Sequence, residues 1–137
     1  MRLTELEPRC IRYETRVEKR TFCLGDVATW KDGDPTEERV VPVRYEIRVD
    51  SFSEAQGIVF LCPLCFAKNS GSVGTHWCSV SFAERGVSSD EGTHNSEGSP
   101  VRWNVSGDSF DNLSTTPSIL LQGGCNWHGY ITNGEVQ

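Results

Sequence analysis

The chain has 137 residues, enough for one domain with a modest core, and 36% hydrophobic with 23% charged residues suits a polar globular protein. A formal net charge of -6 argues against an electrostatic grip on nucleic-acid backbone. No apolar run approaches the ~20 residues of a membrane span, and Met1-Arg2-Leu3-Thr4-Glu5-Leu6-Glu7-Pro8 has no hydrophobic signal core, so a cytoplasmic location is expected, with the six cysteines as thiols or metal ligands before disulfides.

Residues 1–56 form the N-terminal part of the expected single domain, 1–137. Arg9, Arg12, Arg16, Lys19 and Arg20 interleave with Glu5, Glu7, Glu14 and Glu18, a mixture that marks a solvated face rather than a nucleic-acid patch. Residues 11–17 and 43–49 both alternate apolar or β-branched residues with charges, the period of half-buried strands, and should pair across the polar loop 31–38. Residues 22–30 add a short third element, and 51–56 amount to a helical turn.

The apolar run Gly57-Ile58-Val59-Phe60-Leu61 predicts a buried strand leading into Cys62, and residues 76–82 a following strand with His76, Cys78, Val80 and Phe82 on one face. Residues 83–100 are rich in Ser, Gly and Glu, a mobile surface loop by composition. Strand character resumes at 101–105 and 119–121, the latter stopped by Gly123-Gly124. The stretch 127–132 then turns at Asn133-Gly134, a strong two-residue hairpin signal. Helical periodicity is scarce, so the expected fold class is mostly β.

Two half-sites carry nameable chemistry: Cys62-Pro63-Leu64-Cys65 and Cys125-Asn126-Trp127-His128. Each places two soft or borderline ligands three positions apart beside a turn, and Cys62, Cys65, Cys125 and His128 together make a Cys3His set suited to tetrahedral zinc (Zn2+). Four protein ligands leave no open position for an activated water, so the zinc would be a structural clamp across the 59 residues between Cys65 and Cys125. No H-x-E accompanies it, which argues against deaminase-type zinc-hydroxide chemistry. The competing reading is four buried core residues, free cysteine being among the most buried types. Cys10, Cys23 and Cys78 lack a partner at metal spacing and fit ordinary core positions.

Ser118, held between Pro117 and the apolar 119–121, is the serine best placed to act as a nucleophile if a base comes within reach. His76 is the candidate base, though it also reads as a spare ligand or a half-buried structural histidine. His94 reads as a solvated loop residue. Asp26, Asp108 and Asp111 could orient a histidine or simply serve turns. No G-x-S-x-G elbow is present. The four tryptophans fit a core better than a base-stacking platform.

Phe60-Leu61-Cys62-Pro63-Leu64-Cys65, Gly74-Thr75-His76, Pro117-Ser118-Ile119 and the closing run from Gly124-Cys125-Asn126-Trp127-His128 to Asn133-Gly134-Glu135-Val136 resemble, in that order, a family of small phage and prophage proteins. Some of its members carry the mistaken label ammonia monooxygenase, and shorter relatives sit beside bacterial ubiquitin-like conjugation genes, where a peptidase role has been suggested. The resemblance covers residues 57–137 and is sharpest in the last fifteen; the first fifty carry none of it. It implies a zinc-ribbon-like β domain of phage origin. It strengthens Ser118 as a nucleophile, since the family's Ser-Pro-Ser-Ile stretch aligns with Thr116-Pro117-Ser118-Ile119, Thr116 replacing the first serine. It also makes His128 a possible base for Ser118 in place of a metal ligand.

Two functions follow: a phage-encoded zinc-binding accessory or interaction protein, or a Ser/His hydrolase acting on peptide or ubiquitin-like protein linkages. Either implies a protein partner or protein substrate, with no nucleic acid and no membrane. Loop 83–100 would contact the partner in the first and cover the substrate in the second.

Overall fold

The alternating patterns near the N-terminus form two long strands, β1 (Arg9–Cys23) and β2 (Thr36–Val49), both longer than the alternation alone marks out. They belong to a sheet of order β2-β1-β3-β4, completed by β3 (Gly57–Leu61) and β4 (Trp77–Ser81). This computed structural model describes residues 1–122 and 124–137; Gly123, half of the expected Gly123-Gly124 stop, lies outside the described residues.

The chain divides into two compact units, Glu14–Tyr45 and Met1–Tyr13 with Glu46–Gln137, with boundaries that fall within β1 and β2. The Glu14–Tyr45 unit is the distal part of the β1–β2 hairpin. Its mixed charges are solvated, as the interleaving predicts, and meet across the strands. Tyr45 donates to Glu18 at 2.6 Å, Arg16 stacks on the Tyr45 ring at 4.8 Å, and Arg39 stacks on Phe22 at 4.9 Å. Solvent screens these exposed pairs, so they order the strand surface more than they stabilise it. Asp26 caps the 3-10 turn Val27–Thr29 by accepting from the Ala28 amide, which accounts for that aspartate.

In the larger unit β3 lies antiparallel between β1 and β4, with Phe60 opposite Cys78 and Ile58 opposite Val80. Ile58, Phe60, Val80 and Phe82 are fully buried and meet Leu3, Leu6, Leu113, Ile119 and Ile131 in one core. Burial of each large side chain is worth roughly 1.5–3 kcal/mol. On the opposite face, Tyr13 and Ser81 share a buried 2.7 Å hydrogen bond.

After β4 come three short antiparallel pairs: β5 (Asn104–Ser106) with β6 (Ser114–Thr116), β7 (Ile119–Leu120) with β8 (His128–Gly129), and β9 (Ile131–Thr132) with β10 (Glu135–Val136). The Asn133-Gly134 hairpin is present, and both residues have the positive φ (47° and 77°) that such a turn requires. The N-terminus packs there too: the Leu3 amide donates to the Gly134 carbonyl and the Val136 amide to the Met1 carbonyl, both at 2.8 Å. The fold is mostly β, as expected, with one short helix, α1 (Pro63–Asn69), that the pattern did not indicate.

Candidate functional site

β3 delivers Cys62 to the first turn of α1, where Cys62 is the N-cap and Pro63 occupies N1, a position that needs no amide donor. The first half-site therefore opens a helix and is not a hairpin knuckle. Cys65 follows three residues later, the spacing that puts two helical side chains on one face. The β3–β4 register continues one step past Leu61 opposite Trp77: the Cys62 amide donates to the His76 carbonyl at 2.9 Å. That step sets His76 directly across from Cys62.

Cys125 closes the group from the turn before β8. Its Sγ lies 3.5 Å from Cys62 Sγ and 3.3 Å from His76 Nε2. Among the described residues, the ligand atoms of Cys62, Cys65, His76 and Cys125 all lie within 4.8 Å of one another, a Cys3His cluster that could hold a metal ion. Three thiols and one imidazole are donors suited to tetrahedral zinc, whose bonds near 2.3 Å to sulfur and 2.0–2.1 Å to nitrogen place ligands roughly 3.5–3.8 Å apart, a spacing that the Cys62–Cys125 pair meets.

The thiols differ in acidity. Cys125 is drawn down to about 7, chiefly by its hydrogen bond with His76 and then by the backbone of Trp127. Loss of solvent pushes Cys65 up to about 11, helped by hydrogen bonds with Cys125 and Cys62. Cys78, buried behind the cluster and outside it, is pushed up by desolvation first and by Cys62 second.

His128 stands apart from that cluster. Leu120 and His128 are register partners in the β7–β8 pair, and Ser118 lies two residues before Leu120, on the same face of the chain. The diagonal brings His128 Nε2 to 2.9 Å from Ser118 Oγ. Trp127 and Gly129 on either side are buried while His128 is exposed, so strand alternation turns its ring out toward Ser118. The Tyr130 ring stacks beside it, with centroids 6.5 Å apart and planes 29° from parallel. A Cβ on Gly129 would stand 2.1 Å from the Gln137 carbonyl and 2.6 Å from the Trp127 ring, so glycine is needed at this close approach. Ser118 is fixed through its carbonyl, which accepts the Trp103 indole N–H at 3.2 Å.

Of the alternatives the sequence left open for the two histidines, the geometry groups His76, as a spare ligand, with the three cysteines, and brings His128, weighed as ligand or base, against Ser118. Spacing along the chain misled because C-x-x-H presumes one tight turn. Here β8 begins at His128 and its strand alternation turns the ring away from the cysteines. The signal for His76 was present, since a β3–β4 hairpin pairing Leu61 with Trp77 necessarily sets His76 beside Cys62. The aspartates have other partners. Asp108 accepts from Asn112, and Asp111 lies 3.9 Å from the Arg2 guanidinium. His94 is half-buried rather than solvated, with its ring nitrogens 3.0 Å and 2.7 Å from the Gly92 and Ser89 carbonyl oxygens.

Loop 83–100 likewise departs from its composition. Arg102 pins it by donating to the carbonyls of Ser88, Glu91 and Thr93 at 2.7–2.9 Å, and donates a further bond to the neighbouring Val101 carbonyl. Thr93–Ser96 then wall one side of a cavity of about 710 Å3, whose other walls include Trp77, Trp103, Ser118 and Leu120. This volume is in the range of ligand sites.

Fold and site together define a mostly β protein with a Cys3His cluster able to hold a metal and a separate, hydrogen-bonded Ser–His pair whose serine lines a cavity. Residues 34–137 match the family model described as the bacterial ubiquitination-like system serine protease (BubE), and the chain belongs to that family. The match begins at residue 34, upstream of the 57–137 segment that carried the sequence resemblance and inside the first fifty residues. No curated protein and no solved structure matches the chain. Among the described residues no helix is long and apolar enough to cross a membrane.

Proposed function

We propose that this protein is a serine hydrolase that cleaves peptide or isopeptide linkages of a ubiquitin-like protein, with Ser118 as nucleophile and His128 as general base. The observation that carries this reading is the 2.9 Å contact between Ser118 Oγ and His128 Nε2. Membership in a family described as a serine protease of a ubiquitination-like system supports the same chemistry and favours it over a purely accessory role.

The neutral imidazole accepts the Oγ proton at Nε2 as Oγ attacks the substrate carbonyl. The imidazolium then donates that proton to the leaving amine, and an acyl ester on Ser118 remains. Water, deprotonated by the same nitrogen, attacks the ester and regenerates the hydroxyl. Among the described residues no carboxylate is placed on His128, so this is a Ser–His dyad, its ring backed by Tyr130.

Cys62, Cys65, His76 and Cys125 would hold zinc, and four protein ligands make its contribution structural. A metal held there would fix the turn that enters β8 and hence the strand carrying His128, three residues beyond Cys125. A fluorophosphonate probe tests the reading: it should label Ser118 in wild type and fail with Ser118→Ala. Absence of labelling in a folded, metal-loaded protein would refute it.

A further inference from the structure

β4 is the outer strand of its sheet, and its free edge opens into the Ser118 cavity. In the β3–β4 ladder the even-numbered residues of β4 face β3: the His76 carbonyl accepts the Cys62 amide, and the Phe82 amide donates to the Gln56 carbonyl. The odd-numbered backbone groups therefore point the other way, in the plane of the sheet. At Ser81 this outward position is filled, its carbonyl accepting the Trp103 amide at 2.9 Å. At Ser79 the carbonyl receives only a long 3.4 Å contact from Thr93 Oγ1. The Ser79 amide and both backbone groups of Trp77 have no partner among the described residues.

We infer that the edge of β4 at Trp77–Ser79 binds the substrate main chain as an added strand, with Ser118 as the residue that receives the scissile carbonyl. The inference rests on the hydrolase reading and deepens it by naming the substrate as an extended, unstructured peptide segment, such as a protein's flexible tail, rather than a folded surface. Three features favour this occupant. Unpaired alternating donors and acceptors form a template for an extended chain and for little else. Trp77, Ser79 and Ser118 line one cavity, so a chain on this edge runs past the nucleophile. Trp103 ties the two walls together, donating its amide to Ser81 at the end of β4 and its indole N–H to the Ser118 carbonyl. Trp103, Leu120 and Leu121 add apolar patches to an otherwise mixed lining, against which apolar side chains of the bound segment can pack.

Internally quenched peptides from a positional-scanning library supply the probe. The best-cleaved peptide is remade with a single backbone N-methyl group at each position in turn. Wild-type protein should lose roughly three- to tenfold in kcat/KM at alternate positions, the effect of one main-chain hydrogen bond, and tolerate the positions between. Ser79→Pro removes an outward amide while sparing the ladder to β3. Normalised to its fluorophosphonate labelling rate, it should lose more peptide kcat/KM than Ser79→Ala does. If N-methylation acts without a two-residue period while Ser118 is still labelled and peptides are still cleaved, strand addition is overturned and the hydrolase reading stands. If Ser118 is not labelled at all, the hydrolase reading itself fails.

Discussion

Replacing the two histidines one at a time separates metal from nucleophile. His76 Nε2 is 3.3 Å from Cys125 Sγ, inside the ligand cluster, whereas His128 Nε2 is 2.9 Å from Ser118 Oγ. Losing even an outer partner of a metal ligand costs about 10–100-fold in affinity, so His76→Ala should weaken metal binding by at least that factor. With free zinc at about 100 times the dissociation constant, binding adds roughly 2.7 kcal/mol to folding stability. A 100-fold weaker site retains about 0.4 kcal/mol of this, a loss of about 2.3 kcal/mol. For a chain of this size that lowers the melting temperature by roughly 5–10 °C at fixed zinc. His128→Ala removes an exposed ring and should shift stability by less than about 0.5 kcal/mol. It should nevertheless slow fluorophosphonate labelling by roughly 10²- to 10⁴-fold, the usual contribution of a general base. Zinc stoichiometry after dialysis, melting curves with and without zinc, and labelling rates complete the comparison. If His128→Ala releases the metal while His76→Ala keeps it, the assignment of the two rings is refuted.

Arg102→Ala should free the segment that three of its hydrogen bonds hold, raising amide hydrogen exchange across 88–101 well above that of β3, whereas Arg102→Lys, which lacks the planar fork, should restore only part of the protection. Glu135 is held below the usual carboxylate range, first by its hydrogen bond with Arg2 and then by the N-terminal ammonium. A depressed folded value stabilises the fold above the ordinary carboxylate pKa and is lost as pH falls through the folded one. Glu135→Gln should therefore flatten the acid limb of a melting-temperature-against-pH profile, an effect that added salt shrinks in the wild type.

Much of the architecture is legible in the chain because it rests on period and turn chemistry. Alternation at 11–17 and 43–49, the apolar run into Cys62 and the Asn133-Gly134 turn all appear where the pattern places them, since burying one strand face leaves little choice of register. The helix after Cys62 was hidden because seven residues carry too few turns to show a helical period. Cys62, Cys65 and Cys125 were recognisable as a ligand set from residue type. His76 was legible only as one candidate among several for the fourth position, because the choice depends on which residue the hairpin sets opposite Cys62, a register that spacing along the chain does not record. Ser118 was singled out for its fixed setting between Pro117 and Ile119; His128 entered as a candidate base through the family resemblance alone, since the contact itself follows from the Leu120–His128 pairing, which neither segment reveals by itself. The same applies to loop 83–100, where composition counts apolar residues and misses one arginine that gathers three of the loop's carbonyls.

The most direct test of the account is to react the zinc-loaded protein with a fluorophosphonate probe at neutral pH and map the adduct by peptide mass spectrometry. The account predicts a stoichiometric adduct on Ser118, abolished by Ser118→Ala and strongly slowed by His128→Ala. An adduct on a different serine that survives Ser118→Ala, or no adduct on folded protein, would contradict it.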